Sequence, residues 1–140
     1  MKRPGRILLI ALASLILLFS LSIAYKLTRE DPDEIFRRNN DLRVEVLNGC
    51  SVERLAVRVT DVLREQGFNV VSIGSTRRDS FPESVVIDRV SDTMEKARYV
   101  ARRIGCRNVG KDIDPALYVD VTIVVGRDYL KLFPDVEKKF

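Results

Sequence analysis

Two aspartates, Asp88 and Asp120, stand inside apolar runs, Val85-Val86-Ile87-Asp88 and Val119-Asp120-Val121. A pair of carboxylates on one surface can perform acid–base chemistry on a sugar. By strand alternation both leave the apolar face and join Arg43, Glu45, Tyr118 and Thr122 on the other. That polar face has three readings: an acid–base pair, a solvated open sheet surface, or a glycan-binding surface with Tyr118 as its flat apolar element. One-sided antiparallel sheets carry polar residues on their wet face. The solvated surface is therefore the simplest reading and the acid–base pair the poorest. Asn48-Gly49 supplies a turn with positive φ ahead of a helix, a geometry whose free N–H groups can also hold a phosphate or carboxylate. It lacks the further glycines of a dinucleotide loop, and the structural turn is its stronger reading.

Cys50 and Cys106 are the only cysteines, and the chain has no His and no Trp. Two thiols without His make no structural zinc site. Absence of His also removes most hydrolase triads and most zinc enzymes. No catalytic group, metal or cofactor is expected, and the chain reads as a non-enzyme. If the end of the first strand and the end of the second helix share one sheet edge, Cys50 and Cys106 can form a disulfide. The other reading is two buried thiols. Arg98, Arg102, Arg103, Arg107 and Lys111 cluster on and after a helix; most such runs are its wet side, though an anionic lipid or polymer would also suit them. Asp128 is placed to accept backbone hydrogen bonds at the close of the last strand, with Tyr129 against the domain edge.

The elements that must position these groups alternate in period. Leu42–Leu47 and Phe68–Ile73 read as strands, and Val52–Gln66 reads as a helix between them, with Ser51 as N-cap and Gly67 after its end. Gly74–Pro82 is a loop, and Ser84–Val90 is a third strand. Asp92-Thr93-Met94-Glu95 fits a capping pattern for a helix that runs to Ile104 and stops at Gly105. Leu117–Val125 is the fourth strand. The order β-α-β-β-α-β predicts an α+β, ferredoxin-like sandwich: a four-stranded sheet with both helices on one face. A sheet with the first two strands adjacent and parallel stays open.

Ahead of this domain, Ile7–Tyr25 holds 19 uncharged, mostly apolar residues, close to what a ~30 Å hydrocarbon core requires. Ser22 and Ala24 fit a signal-peptide cleavage site, but the run is longer than an ordinary signal core. A single-pass anchor is the favoured reading, with residues 1–6 as a basic cytoplasmic tail and the rest outside. Of the 24 basic residues, Lys2, Arg3 and Arg6 precede this run, and the remainder nearly balance the 20 acids. The alkaline balance thus belongs to the extreme N-terminus and marks no polyanion-binding stripe. Residues 26–41 read as a charged linker with a short helical turn at Glu34–Arg38. Residues 130–140 form a tail whose Leu130, Leu132 and Phe133 can dock on the domain or on a partner.

The runs VEVLNG at 44–49, LREQGFNVV at 63–71 and DVTIVVGRDY at 120–129 closely resemble the LytR C-terminal domain family. The resemblance spans residues 42–129. In that family the domain often follows the catalytic domain of LytR-CpsA-Psr phosphotransferases, which transfer glycopolymers to peptidoglycan, and it also occurs alone behind one membrane helix. It implies no catalytic residues for this chain, which is too short to hold the transferase domain. Glu53-Arg54 stand where the family commonly has glycine after the helix start.

These readings converge on a membrane-anchored, extracytoplasmic, non-catalytic module that binds cell-wall glycan or glycopolymer. The alternative is a protein-interaction module in an envelope assembly. An RNA-recognition fold shares the expected strand order, but it needs aromatic residues on central strands to stack bases. Leu42–Leu47 and Ser84–Val90 have none, so no nucleic-acid partner is expected.

Overall fold

The computed structural model describes residues 4–77 and 80–138, and the chain divides into two compact units, up to Glu34 and from Ile35. Lys2, Arg3 and the centre of the 74–82 loop lie outside the described residues.

Helix α1 runs from Pro4 to Thr28. Its 25 residues give a length of about 37 Å, long and apolar enough to cross a membrane. None of its residues is buried. The two hydroxyls whose bonds are resolved turn back onto the helix: Ser14 donates to the Ala11 carbonyl at 2.8 Å and Thr28 to that of Ala24 at 2.9 Å. A helix that satisfies its hydroxyls internally suits an apolar medium.

Residues 32–40, expected to be mostly linker, form a second helix, α2, Pro32–Asn40. Pro32 occupies the first turn, and the Asp31 carboxylate accepts the Asp33 N–H at 3.1 Å. The end of α2 is fastened to the domain. Asn39, only 2% exposed, donates to the Gln66 carbonyl at 2.7 Å and accepts from the Tyr99 hydroxyl at 2.8 Å. Arg38 stacks over the Tyr99 ring, 4.6 Å from its centroid. Phe36 lies so close to Gly67 that a Cβ there would sit 2.5 Å from the ring. Gly67, at φ +89°, is therefore required twice over.

The rest is a five-stranded mixed sheet with α3 (Leu55–Glu65) and α4 (Glu95–Ile104). Its strands are β1 (Arg43–Asn48), β2 (Asn69–Ser75), β3 (Val85–Asp88), β4 (Asn108–Lys111) and β5 (Val121–Val125), in the order β2-β1-β5-β3-β4. β1 pairs with β2 and with β5 in parallel, β3 pairs with β4 in parallel, and only β3 with β5 is antiparallel. The four-stranded ferredoxin-like arrangement is thus corrected, and the adjacent parallel pair left open above is the one found. Two β-α-β units, β1-α3-β2 and β3-α4-β4, lie side by side with β5 between them. All five β5 residues, Thr122 included, are buried, and a strand buried on both faces needs a neighbour on each side. Strand β4 escapes sequence reading because Asn-Val-Gly-Lys has no alternation; α4 places it by returning the chain beside β3.

Val44, Val46, Val86, Val121, Ile123 and Val125 share one core with Leu55, Val59 and Leu63 of α3 and Ala97, Val100 and Ile104 of α4. Both helices therefore cover the same sheet face, as expected. The tail docks on the domain: helix α5 (Tyr129–Leu132) and a 3-10 turn at Pro134–Glu137 bury Phe133 and Val136 in the same core.

Candidate functional site

The parallel register pairs Val44 with Val121 and Glu45 with Thr122. With Val44 and Val121 committed to the core, Arg43, Glu45, Asp120 and Thr122 fall together on the face the helices leave bare, as the alternation predicts. The structure adds Ser72, Arg89 and Asp112 to them. Ser72 donates to Glu45 Oε1 at 3.2 Å, and the Thr122 hydroxyl donates to Glu45 Oε2 at 2.9 Å. Arg89 Nε donates to the Thr122 oxygen at 2.9 Å, and its guanidinium ends in an ion pair with Asp112. A row of polar groups thus crosses the whole sheet, and each bond polarises the next. Ser72 carries no sequence signal. Arg89, directly after an apolar strand, is a signal: so placed, it needs an acceptor.

Asp120 anchors the edge of this face. It accepts from the Arg43 backbone N–H at 2.9 Å, from Arg43 Nε at 3.1 Å and from Lys96 Nζ at 2.6 Å. Burial pushes its carboxyl up, but the Arg43 and Lys96 hydrogen bonds and the Lys96 charge outweigh that and hold it at about 2. A folded-state value below the unfolded 3.8 contributes stability that is complete above about pH 4 and is lost as pH falls toward 2. Arg43 and Lys96 side chains stay 47% and 40% exposed, so solvent screens the pairs to about 1 kcal/mol. Asp120→Asn is expected to lower stability by about that much at pH 7 and to flatten the loss between pH 4 and pH 2. Urea midpoints recorded across that range check it; parallel pH profiles for both proteins would contradict it.

Asp88 does not join this face, and its expected placement is corrected. Its fully buried carboxylate accepts the N–H groups of Val90, Ser91 and, at the start of α4, Ala97. Alternation explains this, since Asp88 shares parity with core-facing Val86. The acid–base pair with Asp120 is not assembled. Tyr118 is corrected as well: the strand starts at Val121, and Pro115–Leu117 is a 3-10 turn whose Ala116 N–H is capped by Asp114. Tyr118 follows it with φ 53° and is 77% exposed beside the sheet end rather than on its face.

At the opposite sheet end, Asn48 bridges its own loop by donating to the Val52 carbonyl at 2.7 Å and accepting the Cys50 N–H at 3.2 Å. The Gly49 N–H bonds the Val125 carbonyl at 2.9 Å. Both N–H groups are engaged within the chain. Gly49 is needed for close approach, not for positive φ: a Cβ would lie 2.8 Å from Val124 and 3.0 Å from Phe81. Left-handed backbone falls instead at Ser51 and Arg54, and α3 starts after Arg54, not after Ser51. Arg54, at φ 56°, adopts a conformation natural to glycine, at a cost of about 1 kcal/mol.

The proposed Cys50–Cys106 disulfide is corrected: both are free, and each thiol has its own partners. Cys50 Sγ lies 3.8 Å from Asn48 Oδ1, and Cys106 Sγ lies 3.3 Å from the Ser84 carbonyl. Burial pushes the Cys106 thiol up, against the lowering by its Asn108 backbone hydrogen bond. The basic residues of α4 and beyond separate: Arg103 stacks on Tyr99, and Lys111 pairs with Asp92. As expected, Asp128 accepts a backbone hydrogen bond, that of Ser84, at 2.7 Å. Among the described residues no group of three His, Cys, Asp or Glu is placed to hold a metal ion.

No curated protein and no solved structure shows significant similarity to the chain. Residues 41–129 match the family described as LytR cell envelope-related transcriptional attenuator. The match takes in every strand of the sheet and both helices that cover it, and the chain belongs to that family.

Proposed function

We propose that this chain is a non-catalytic cell-envelope module, held in the membrane by α1, whose domain lies on the extracytoplasmic side and binds cell-wall glycan or glycopolymer. The observation that supports this reading is the polar row Ser72–Glu45–Thr122–Arg89–Asp112 on the uncovered sheet face. Fixed donors and acceptors on a sheet surface suit sugar hydroxyls, each of which both donates and accepts. Arg43 and Glu45 offer the accessible groups; Asp120 holds the first in place and Thr122, itself fixed by Arg89, holds the second. The full chain in detergent micelles should sediment with purified wall sacculi, and Glu45→Gln should reduce retention about fivefold, a loss of roughly 1 kcal/mol. Retention no greater than that of an unrelated detergent-solubilised protein would overturn the reading.

A second reading, an assembly module that binds an envelope protein, is favoured by one observation. Val90, Ile113, Leu117 and Tyr118 are exposed apolar residues in the loops at the β1-start end of the sheet. Exposed apolar clusters of this kind mark interaction surfaces. In-cell crosslinking from position 118 that survives wall digestion would select this reading over the first.

A further inference from the structure

We infer that a cleft at the end of α4 binds a small zwitterion, a free amino acid or a dipeptide, which carries both a carboxylate and an ammonium group. The cleft, about 280 Å³, is lined by Glu83, Gly105, Arg107, Asn108, Asp128 and Lys131, with Leu132 as its apolar wall. It opens at the sheet end where β5 finishes and β3 and β4 begin, away from Arg43 and Asp120. Three of its polar groups, Glu83, Asn108 and Asp128, are fixed. Asn108 Nδ2 donates to Glu83 Oε2 at 2.9 Å and to the Ser84 carbonyl at 3.0 Å. Asp128 Oδ1 accepts both the N–H and the hydroxyl of fully buried Ser84, each at 2.7 Å.

These bonds leave the second oxygen of each carboxylate without a protein partner among the described residues. The side chains of Arg107 and Lys131 have none either. Two cations and two carboxylates therefore line one small cleft, yet no pair among them closes to the 4.0 Å of a salt bridge. A purely anionic or purely cationic ligand would meet like charge on one side, which disfavours it. A zwitterion meets opposite charge on both sides. Its carboxylate goes to the Arg107 fork and Lys131, and its ammonium to Glu83 and Asp128. The volume is just under the roughly 300–1,000 Å³ of drug-sized sites, so it suits a free amino acid or a dipeptide. At Gly105 a Cβ would meet nothing within 4 Å, so the rim is open to a ligand that continues outward.

The test uses the isotope-labelled full chain in micelles, with the Asn108 side-chain amide as reporter in magnetic-resonance titrations. Alanyl-alanine should give a saturable shift at that amide. Acetate alone and ethylammonium alone should each bind about tenfold more weakly, and Arg107→Gln or Lys131→Gln should each weaken the dipeptide about fivefold. Both positions are exposed, so folding is preserved. The inference is overturned by no saturable shift, by acetate binding as tightly as the dipeptide, or by an unchanged midpoint in both variants. None of these outcomes bears on sacculus retention, which reports on the sheet face.

Discussion

Asp88→Ala is expected to destabilise the domain by about 3–4 kcal/mol, although no ligand would touch this residue. Three backbone N–H groups converge on its carboxylate: Val90 at 3.0 Å, Ser91 at 2.8 Å and Ala97 at 3.1 Å. The first two shape the turn that leaves β3, and the third satisfies an orphan donor in the first turn of α4. The residue just before α4, Met94, has left-handed backbone and no capping side chain, so Asp88 does the work of a cap from a distance. With the carboxylate gone, the buried Ala97 N–H loses a charged acceptor and gains no water, and the part-buried N–H groups of Val90 and Ser91 lose theirs as well. Asp88→Asn keeps the shape and one acceptor oxygen but turns an amide toward the remaining N–H groups, so about half the loss is expected. Chemical denaturation of the full chain in micelles measures both variants. If Asp88 instead served the wall-binding face, Asp88→Asn would cut sacculus retention while leaving the denaturation midpoint in place.

The same residue shows what the amino-acid order makes legible and what it hides. Periodicity finds every element whose pattern reports burial: β1 through Val44 and Val46, α3 and α4 through their apolar stripes, and the α4 stop through Gly105. It also sorts Arg43, Glu45, Asp120 and Thr122 onto one face before any pairing is known. Alternation misleads when the strand boundary is wrong. Counting from Leu117 rather than Val121 carries Tyr118 onto the sheet, though its left-handed φ breaks the strand there. Strand neighbours are less legible still, because a local pattern states which face is buried but not which strand lies alongside. The near-continuous apolar run of β5, broken only by Thr122, is the available clue to a central position. Long-range polar partners such as Asn39 with Tyr99, or Arg89 with Thr122, leave no periodic trace. Charge density hides α2 in the same way, since only Asn39 among its residues is buried.

Phe133→Ala is expected to cost about 3–4 kcal/mol, an effect outside the segment that carries the family match. That match ends at residue 129, and a charged eleven-residue tail beyond it looks dispensable. The packing argues otherwise. Phe133 is 1% exposed and is the largest of the fully buried side chains; Val136 beside it is wholly buried. Backbone hydrogen bonds set the approach: the Phe133 N–H reaches the Tyr129 carbonyl at 2.7 Å, and the Val136 N–H that of Phe133 at 3.1 Å. The 3-10 turn at Pro134–Glu137 then packs against α3, which also lies on β1 and β2. Removing the ring leaves a cavity among Val and Leu side chains too tightly held to collapse into it. A chain ending at Tyr129 should lose at least as much, because Val136 is removed along with the ring. Phe133→Leu, which keeps most of the apolar volume, should recover more than half of the loss. Thermal and urea unfolding of these three variants in the same micelles decide the matter. A midpoint for Phe133→Ala within about 0.5 kcal/mol of the parent would show that the tail lies on the domain without stabilising it.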